Sequence, residues 1–451
     1  MKASKYNVIV EDPATGGVLL YNSLYGSLTA WSKDEVAIVN RLLAFPDAAN
    51  GNGDIQQVLR EQKHLIEDAV DEMAIIENRK RSGVADSNRL DVIIMPTLDC
   101  NFACAYCYET HQASSMSDDT ERAIKLWLSH EMPKHTVVLL HWFGGEPLLG
   151  FQRVVSITEH ATAVALRSGT CCVPHMTTNG FLLDQRRATA LTQAGVHNFQ
   201  ITLDGPPDTH DRLRVLKNGR GTFRQVFENV VGLMHVDDRV RVSLRVNFNQ
   251  GNLHSIPTLL EMFPGDIRSR LRVVYEPIFG RCALSASDNL PSEEISQAMA
   301  QYYTIAEQLG YDVVLGLSNL SAGKLVYCYA ERDNQVIINY NGDLHKCSVS
   351  EFRTEDRVGF IRTDGSLVRD EQKWSLWTDG ELFSGACRSC SYLPLCMGGC
   401  RKTRLEQRGP GNCCALTPTN ASYLLKQIAY GRFPNLVRQC DQPTAANHDK
   451  S

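Results

Sequence analysis

From residue 90 to about 280 the chain alternates short runs rich in β-branched and aromatic residues with segments whose apolar positions recur at helical spacing. LDVIIMP, TVVLLHWF, VPHMTT, NFQITL, VRVSLRVNF and LRVVYEP read as strands. DTERAIKLWLSH, FQRVVSITEHATAVAL, LDQRRATALTQAG and FRQVFENVVGLM, lying between them, read as helices. Six such repeats require parallel strands with helical crossovers, hence a barrel or a doubly wound sheet. In either architecture chemistry gathers at the carboxyl ends of the strands.

The flanks have different patterns. YNVIV and VLLY are expected to pair as strands, followed by WSKDEVAIVNRLLAF, where Ser32 and Glu35 have capping-box spacing and Val36, Val39, Leu42 and Leu43 share one helix face. QQVLREQKHL and IEDAVDEMAII extend the helical pattern, and the polar run ENRKRSGVADSN suggests a boundary near residue 85. The expected organisation is therefore a small domain over 1–85, the β/α region over 86–290, a helical bridge over 291–327 containing SEEISQAMAQYYTIAEQL, a cysteine-rich domain over 328–430 and a polar tail over 431–451. From Cys328 to Cys414 the chain is turn-rich with little apolar periodicity, so bound metal is expected to supply the stability that a small core lacks.

Composition narrows the class. The 451 residues are 43% hydrophobic and 22% charged with a formal charge of −5, the profile of a soluble protein without the basic excess of a nucleic-acid binder. No apolar run approaches a membrane span, and MKASKYNVIVEDP lacks a signal-peptide core, so a cytoplasmic protein without membrane partners is expected. Fifteen cysteines then need an account other than structural disulfides, and metal ligation is the better one. Isolated residues such as Cys282 and Cys440 suit a core, but the clusters Cys100 to Cys107 and Cys387 to Cys400 do not.

LDVIIMPTLDCNFACAYCYE places Cys100, Cys104 and Cys107 directly after the first strand, spaced Cys-x3-Cys-x2-Cys, with Tyr106 before the third. Three thiolates can hold three irons of a [4Fe–4S] cluster and leave the fourth open to a chelating ligand, although zinc is an alternative on these residues alone. The loop resembles the signature of the radical S-adenosylmethionine (SAM) superfamily, and further stretches match in order. HWFGGEPLL at 141 to 149 resembles the strand end where Gly144, Gly145 and Glu146 receive the methionyl amino group of SAM. TTNGFLL and ITLDGPPDTHDRLR resemble the next two strand ends, which implies that Thr178, Asn179, Thr202 and Asp204 face the SAM carboxylate, ribose or substrate, with Asn247 a further contact. Without the resemblance, the glycine pair and Asp204-Gly205-Pro206 read as turns.

The carboxyl-terminal order, Cys328-x13-Gly342-x4-Cys347, then Cys387-x2-Cys390-x5-Cys396-x3-Cys400, then Cys413-Cys414, resembles the SPASM extension of radical SAM peptide-modifying enzymes. The resemblance implies two auxiliary [4Fe–4S] clusters, three clusters in all. It assigns Cys328, Cys347 and Cys400 to one auxiliary cluster, and Cys387, Cys390, Cys396 and one of Cys413 and Cys414, with Cys414 favoured, to the other. Some relatives have a further cysteine where this chain has Leu320, Ser321, Ala322 and Gly323, so the first auxiliary cluster has an open iron or is closed by Cys282. Sulfatase-maturing relatives place an aspartate where this chain has Ser348, which argues against that activity.

The fold class implied is α/β: a partial (β/α)6 TIM-like barrel with an N-terminal winged-helix-like peptide-recognition domain and a C-terminal iron–sulfur domain. The function implied is an oxidoreductase that cleaves SAM to a 5′-deoxyadenosyl radical, abstracts hydrogen from a ribosomally made precursor peptide and installs an oxidative cross-link. A flavodoxin or ferredoxin would supply electrons. A peptide epimerase and a small-molecule dehydrogenase are the alternatives.

Overall fold

In the computed structural model the described residues are 1–11, 16–47, 53–278, 292–313, 323–379, 383, 385–407 and 425. They divide into two compact units, one formed by 1–83, 315–328 and 381–451, the other by 84–314 and 329–380. Cys282, Cys413, Cys414, Cys440 and the 431–451 tail lie outside the described residues.

In the first unit, β1 (Lys2–Ala3) precedes an antiparallel meander of β2 (Asn7–Glu11), β3 (Val18–Asn22) and β4 (Leu28–Trp31). Helices α1 (Lys33–Ala44) and α2 (Gly53–Glu61) follow, then β5 (Leu65–Ile66) and α3 (Glu72–Val84). The start of α1 is held as its spacing predicts: the Ser32 N–H and hydroxyl both donate to the Glu35 carboxylate, at 2.9 and 2.7 Å. Val39 and Leu42 are buried, with Val36 and Leu43 packed beside them. One expectation fails: Leu65 and Ile66, expected to end one helix and open the next, are both buried and pair with β1, Leu65 packing with Val18, Leu20 and Trp31. Correspondingly, the polar run expected to be a linker forms the last turns of α3.

Residues of the cysteine-rich tail share this unit's core. Tyr6, Leu24 and Ile76 pack with Phe383, Leu393 and Met397. The Ser23 hydroxyl donates to the Ser391 carbonyl at 2.5 Å, and buried Lys80 donates to the Met397 carbonyl at 3.0 Å.

The second unit is built on six parallel strands, β6 (Arg89–Ile94), β7 (Val137–Trp142), β8 (Cys171–Thr178), β9 (Asn198–Thr202), β10 (Arg241–Phe248) and β11 (Leu271–Pro277), paired in sequence order. These are the six strands expected. Helices α4 (Asp118–Glu131), α5 (Phe151–Ser168), α6 (Gln185–Ala194), α7 (Pro207–Leu213), α8 (Phe223–Met234), α9 (Ile256–Met262) and α10 (Gly265–Arg268) connect them, and α11 (Ser292–Gln308) follows. Val92, Ile94, Val138, Leu140, Trp142, Phe199 and Val246 pack beneath these helices in one continuous core.

The sheet does not stop at β6. β12 (Gln335–Ile338) pairs parallel to β6, and β13 (Asp343–His345), β14 (Gly359–Ile361) and β15 (Leu367–Arg369) continue it antiparallel. This corrects the view that the segment after Cys328 lacks material for a core, since all four residues of β12 are buried. Its short apolar run, Val336 to Ile338, follows buried Gln335 and carries no alternation to read.

Candidate active site

The loop after β6 carries the cysteine triad at the carboxyl end of the sheet, and its shape is set by long-range backbone hydrogen bonds. Ala103 and Ala105 donate to the carbonyls of Val215 and Leu213 at 2.8 and 3.0 Å, and Lys217 donates to the Asn101 carbonyl at 3.1 Å, so the loop lies against the segment after α7. On its other side, Gly145 and Glu146 donate to the carbonyls of Thr97 and Asp99 at 3.3 and 2.8 Å. The glycine pair is required here: a Cβ on Gly144, whose φ is +117°, would lie 2.4 Å from the Thr97 oxygen, and one on Gly145 would lie 2.3 Å from the Asp99 oxygen. Close approach to the cysteine loop is thus a role for these glycines in addition to the one expected.

Cys100 is buried, Cys104 half-buried and Cys107 exposed. The Phe102 N–H approaches the Cys100 sulfur at 3.4 Å and the Asn179 amide at 3.8 Å. Burial pushes the Cys100 thiol up to about 12 and the Cys107 thiol up to about 11, so a thiolate here needs a positive partner. Iron is such a partner, because a coordinating thiol is deprotonated outright. Among the described residues no three His, Cys, Asp or Glu side chains are grouped to hold one metal ion. The triad's chemistry, soft donors on an open loop with a partly exposed third member, fits a cluster with an accessible iron.

Glu146 is fully buried, and its carboxylate accepts from the Leu148 N–H at 2.9 Å, the Thr178 hydroxyl at 2.8 Å and the Asn179 N–H at 2.7 Å. Burial raises its pKa against those three donors. Its side chain is a strut between the ends of β7 and β8. Asn179 continues the contact by donating to the Asn101 side chain at 2.8 Å.

Asp204, Asn247 and Tyr106 come together in one buried network. The Tyr106 hydroxyl donates to Asp204, the Asn247 N–H donates to Asp204 at 2.9 Å, and the Asn247 amide donates to the Tyr106 oxygen at 3.0 Å. Burial holds the Asp204 carboxyl above its usual range, opposed by Arg214 and these hydrogen bonds. Thr202 is buried one strand over, paired with Arg245 of β10.

Reading along the chain missed three members. Arg214 donates to the Tyr106 oxygen at 2.9 Å, Asn252 donates to the Asp204 carbonyl at 2.8 Å, and His210 accepts from the Asp204 N–H at 3.2 Å while its other nitrogen meets the Thr222 hydroxyl at 3.0 Å. The available signal was the spacing of His210 and Arg214, one turn apart after a Pro-initiated helix.

Of the carboxyl-terminal cysteines, Cys387, Cys390, Cys396 and Cys400 lie in the first unit with Cys328, and Cys347 lies in the second. Cys387 sits in a four-residue helix, Gly385–Arg388, and Cys396 ends another, Leu393–Cys396. Between Cys396 and Cys400 three successive residues, Met397, Gly398 and Gly399, have φ of +47°, +91° and +72°.

Residues 94–236 match the Radical SAM superfamily, a span that includes the triad, Glu146, Asp204 and Arg214. The chain carries a radical SAM domain. The PqqA peptide cyclase of Rhodopseudomonas palustris is 24% identical over 356 residues, covering 73% of this chain and 87% of that protein. The Fe-coproporphyrin III synthase of Methanosarcina barkeri is 24% identical over 364 residues, covering 73% and 87%. The structure of anSMEcpe with bound AdoMet and Kp18Cys peptide aligns with a TM-score of 0.58 at 17% identity, covering 78% of this chain and 99% of that one, a likeness of fold. The radical SAM fold thus accounts for the central parallel sheet. Among the described residues no helix is long and apolar enough to cross a membrane.

Proposed function

We propose that this chain is a radical SAM maturase that binds a ribosomally made precursor peptide and removes hydrogen from it to install an intramolecular cross-link. The observation that carries the reading is the cysteine loop, held by backbone bonds to the loops after β7 and α7 at the carboxyl end of a six-stranded parallel sheet. When bound there, a [4Fe–4S] cluster and SAM supply an electron and a sulfonium, from which reductive cleavage gives the hydrogen-abstracting radical. The chain's part is to hold and orient. Cys100, Cys104 and Cys107 are the cluster ligands, and backbone groups at Gly144, Gly145 and Glu146 receive the SAM amino group. Thr178, Asn179, Thr202, Asp204 and Asn247 border the SAM carboxylate and ribose or the substrate. Cys328, Cys347 and Cys400, and Cys387, Cys390, Cys396 and Cys414, hold two auxiliary clusters. They offer an outlet for the electron that an oxidative cross-link releases, while a flavodoxin or ferredoxin supplies the electron that reduces the site cluster.

Residues 1–85 are proposed to capture the leader of the precursor, in the manner of a winged-helix recognition element. Support comes from β2, which among the described residues pairs in its sheet with β3 alone and exposes Ile9, leaving an edge for strand addition. The name of the peptide cyclase relative favours the peptide substrate. The match to Fe-coproporphyrin III synthase favours a small-molecule alternative, under which Ile9→Asp leaves substrate affinity unchanged.

Anaerobic reconstitution should give roughly 12 Fe per chain for three [4Fe–4S] clusters, and the triple Ala variant of Cys100, Cys104 and Cys107 should lose about a third of it with all SAM cleavage. Intact-mass measurement should show the precursor about 2 Da lighter with one 5′-deoxyadenosine per bond, since a cross-link removes two hydrogens. Zinc in place of iron sinks the cluster assignment. A product of unchanged hydrogen count carrying one solvent deuteron at Cα replaces cross-linking by epimerisation.

A further inference from the structure

Arg214 stands out among groups that neither the motifs nor the hydrogen-abstraction chemistry explains. Only 8% exposed, it is the residue around which the cysteine loop folds: its neighbours Leu213 and Val215 accept from Ala105 and Ala103, on either side of Cys104. Its guanidinium donates to the Tyr106 oxygen at 2.9 Å and lies 5.6 Å from the Phe102 ring centre, so it contacts the residues bracketing Cys104. Its Nε finds no acceptor among the described residues. A carboxylate does not cancel it directly. Asp204 is reached through the Tyr106 hydroxyl, whereas the exposed Lys217 nearby is neutralised by Asp99 at 2.6 Å. A buried guanidinium stays protonated at any working pH.

We infer that Arg214 is a redox-tuning residue, a fixed cation behind the triad that raises the reduction potential of the site cluster. The inference rests on reading Cys100, Cys104 and Cys107 as ligands of a [4Fe–4S] cluster. Adding one electron makes such a cluster and its thiolates more negative, so an adjacent buried cation stabilises the reduced state more than the oxidised one. The Tyr106 hydrogen bond fixes where the charge sits; the charge does the tuning. Two buried carboxyls, Glu146 and Asp204, would otherwise make reduction harder.

The test compares Arg214→Gln, which keeps a donor and loses the charge, with Arg214→Lys, which keeps the charge and loses the fork. The readouts are iron content and the midpoint potential of the electron paramagnetic resonance signal that changes on adding SAM. Arg214→Gln should lower the reduction equilibrium constant about tenfold, a shift of about 59 mV to more negative potential for one electron. Arg214→Lys should stay near the wild-type value. If the glutamine variant cannot retain the cluster, retention by the lysine variant at near wild-type potential supports the same conclusion. Equal shifts in both variants, no shift in the glutamine variant, or loss of the cluster in the lysine variant overturns it. Absence of any SAM-sensitive [4Fe–4S] signal in the wild-type protein removes the cluster reading itself, a result distinct from an unshifted Arg214→Gln.

Discussion

The two cysteine-bearing regions are built on opposite plans. Around Cys100 the chain is tied to partners far away in sequence: Ala103, Ala105 and Lys217 span the loop and the segment after α7, and Glu146 reaches Asp99. Around Cys387 to Cys400 the backbone bonds are local, Cys390 to Cys387, Cys396 to Tyr392, Met397 to Leu393 and Gly399 to Cys396. What fixes that region besides is the burial of Leu395 against the amino-terminal meander and of Leu393 and Met397 against Tyr6, Leu24 and Ile76, with the Ser23 and Lys80 side chains bonded to the Ser391 and Met397 carbonyls. Helices of four residues have no stability of their own. On the proposed assignment, the difference teaches that a catalytic loop needs its ligands placed before the cofactor arrives, whereas an auxiliary site can let metal and apolar anchors share the work.

Removing iron is the sharpest way to break this comparison. Chelation under reducing conditions should raise amide hydrogen exchange about tenfold or more over 385–407, while the loop amides of Ala103 and Ala105 stay protected, because their acceptors are protein carbonyls. Equal loss of protection in both regions would show that the triad loop also depends on metal for its shape.

A smaller effect is expected from Gly145→Ala. The new methyl would meet the backbone of Leu98 and Asp99, which cannot swing aside as a side-chain end can, so the variant should lose about 1–3 kcal/mol of stability with a lowered Tm. It should also retain less iron at the triad than at the carboxyl-terminal array. A Tm and iron content equal to wild type would mean that the loop tolerates rearrangement.

Acid perturbs both units and so isolates neither cysteine region. Burial lowers His64 in one unit and His345 in the other to about 4. Below the ordinary histidine value the unfolded chain takes up protons that these folded rings refuse, so stability falls as pH drops from about 6.5 towards 4. At pH 5 each ring costs on the order of 2 kcal/mol. Thermal melts at pH 7, 6 and 5 should step down, and His345→Gln should flatten part of the slope; melts that do not move with pH would contradict the burial of both rings.

The six barrel strands were legible because short β-branched and aromatic runs recur between helical segments, and the first α/β crossovers because α4, α5, α6 and α8 keep an apolar stripe. β12 was not, since a strand buried on both faces shows no period. Nor was the pairing of Leu65–Ile66 with β1, where burial of both residues overrides the local helical pattern. In the site, the triad and the glycine pair could be read from spacing. The strut role of Glu146 and the Arg214–Tyr106 contact could not, because they join residues brought close only by the sheet. Sharing of one core by Tyr6, Ile76 and Leu393 is invisible for the same reason.

The seventh parallel strand sets an order in time. β6, which opens the sheet and leads into the triad, has its second edge covered only by β12, made more than half the chain later. While the polypeptide is being synthesised, that edge stays a row of bare N–H and C=O groups, open to any passing strand. A ribosome that stalls before the codon for Gln335 therefore releases a product with all six barrel strands and an unguarded flank. Such fragments should clump or be degraded rather than linger as half-working enzyme.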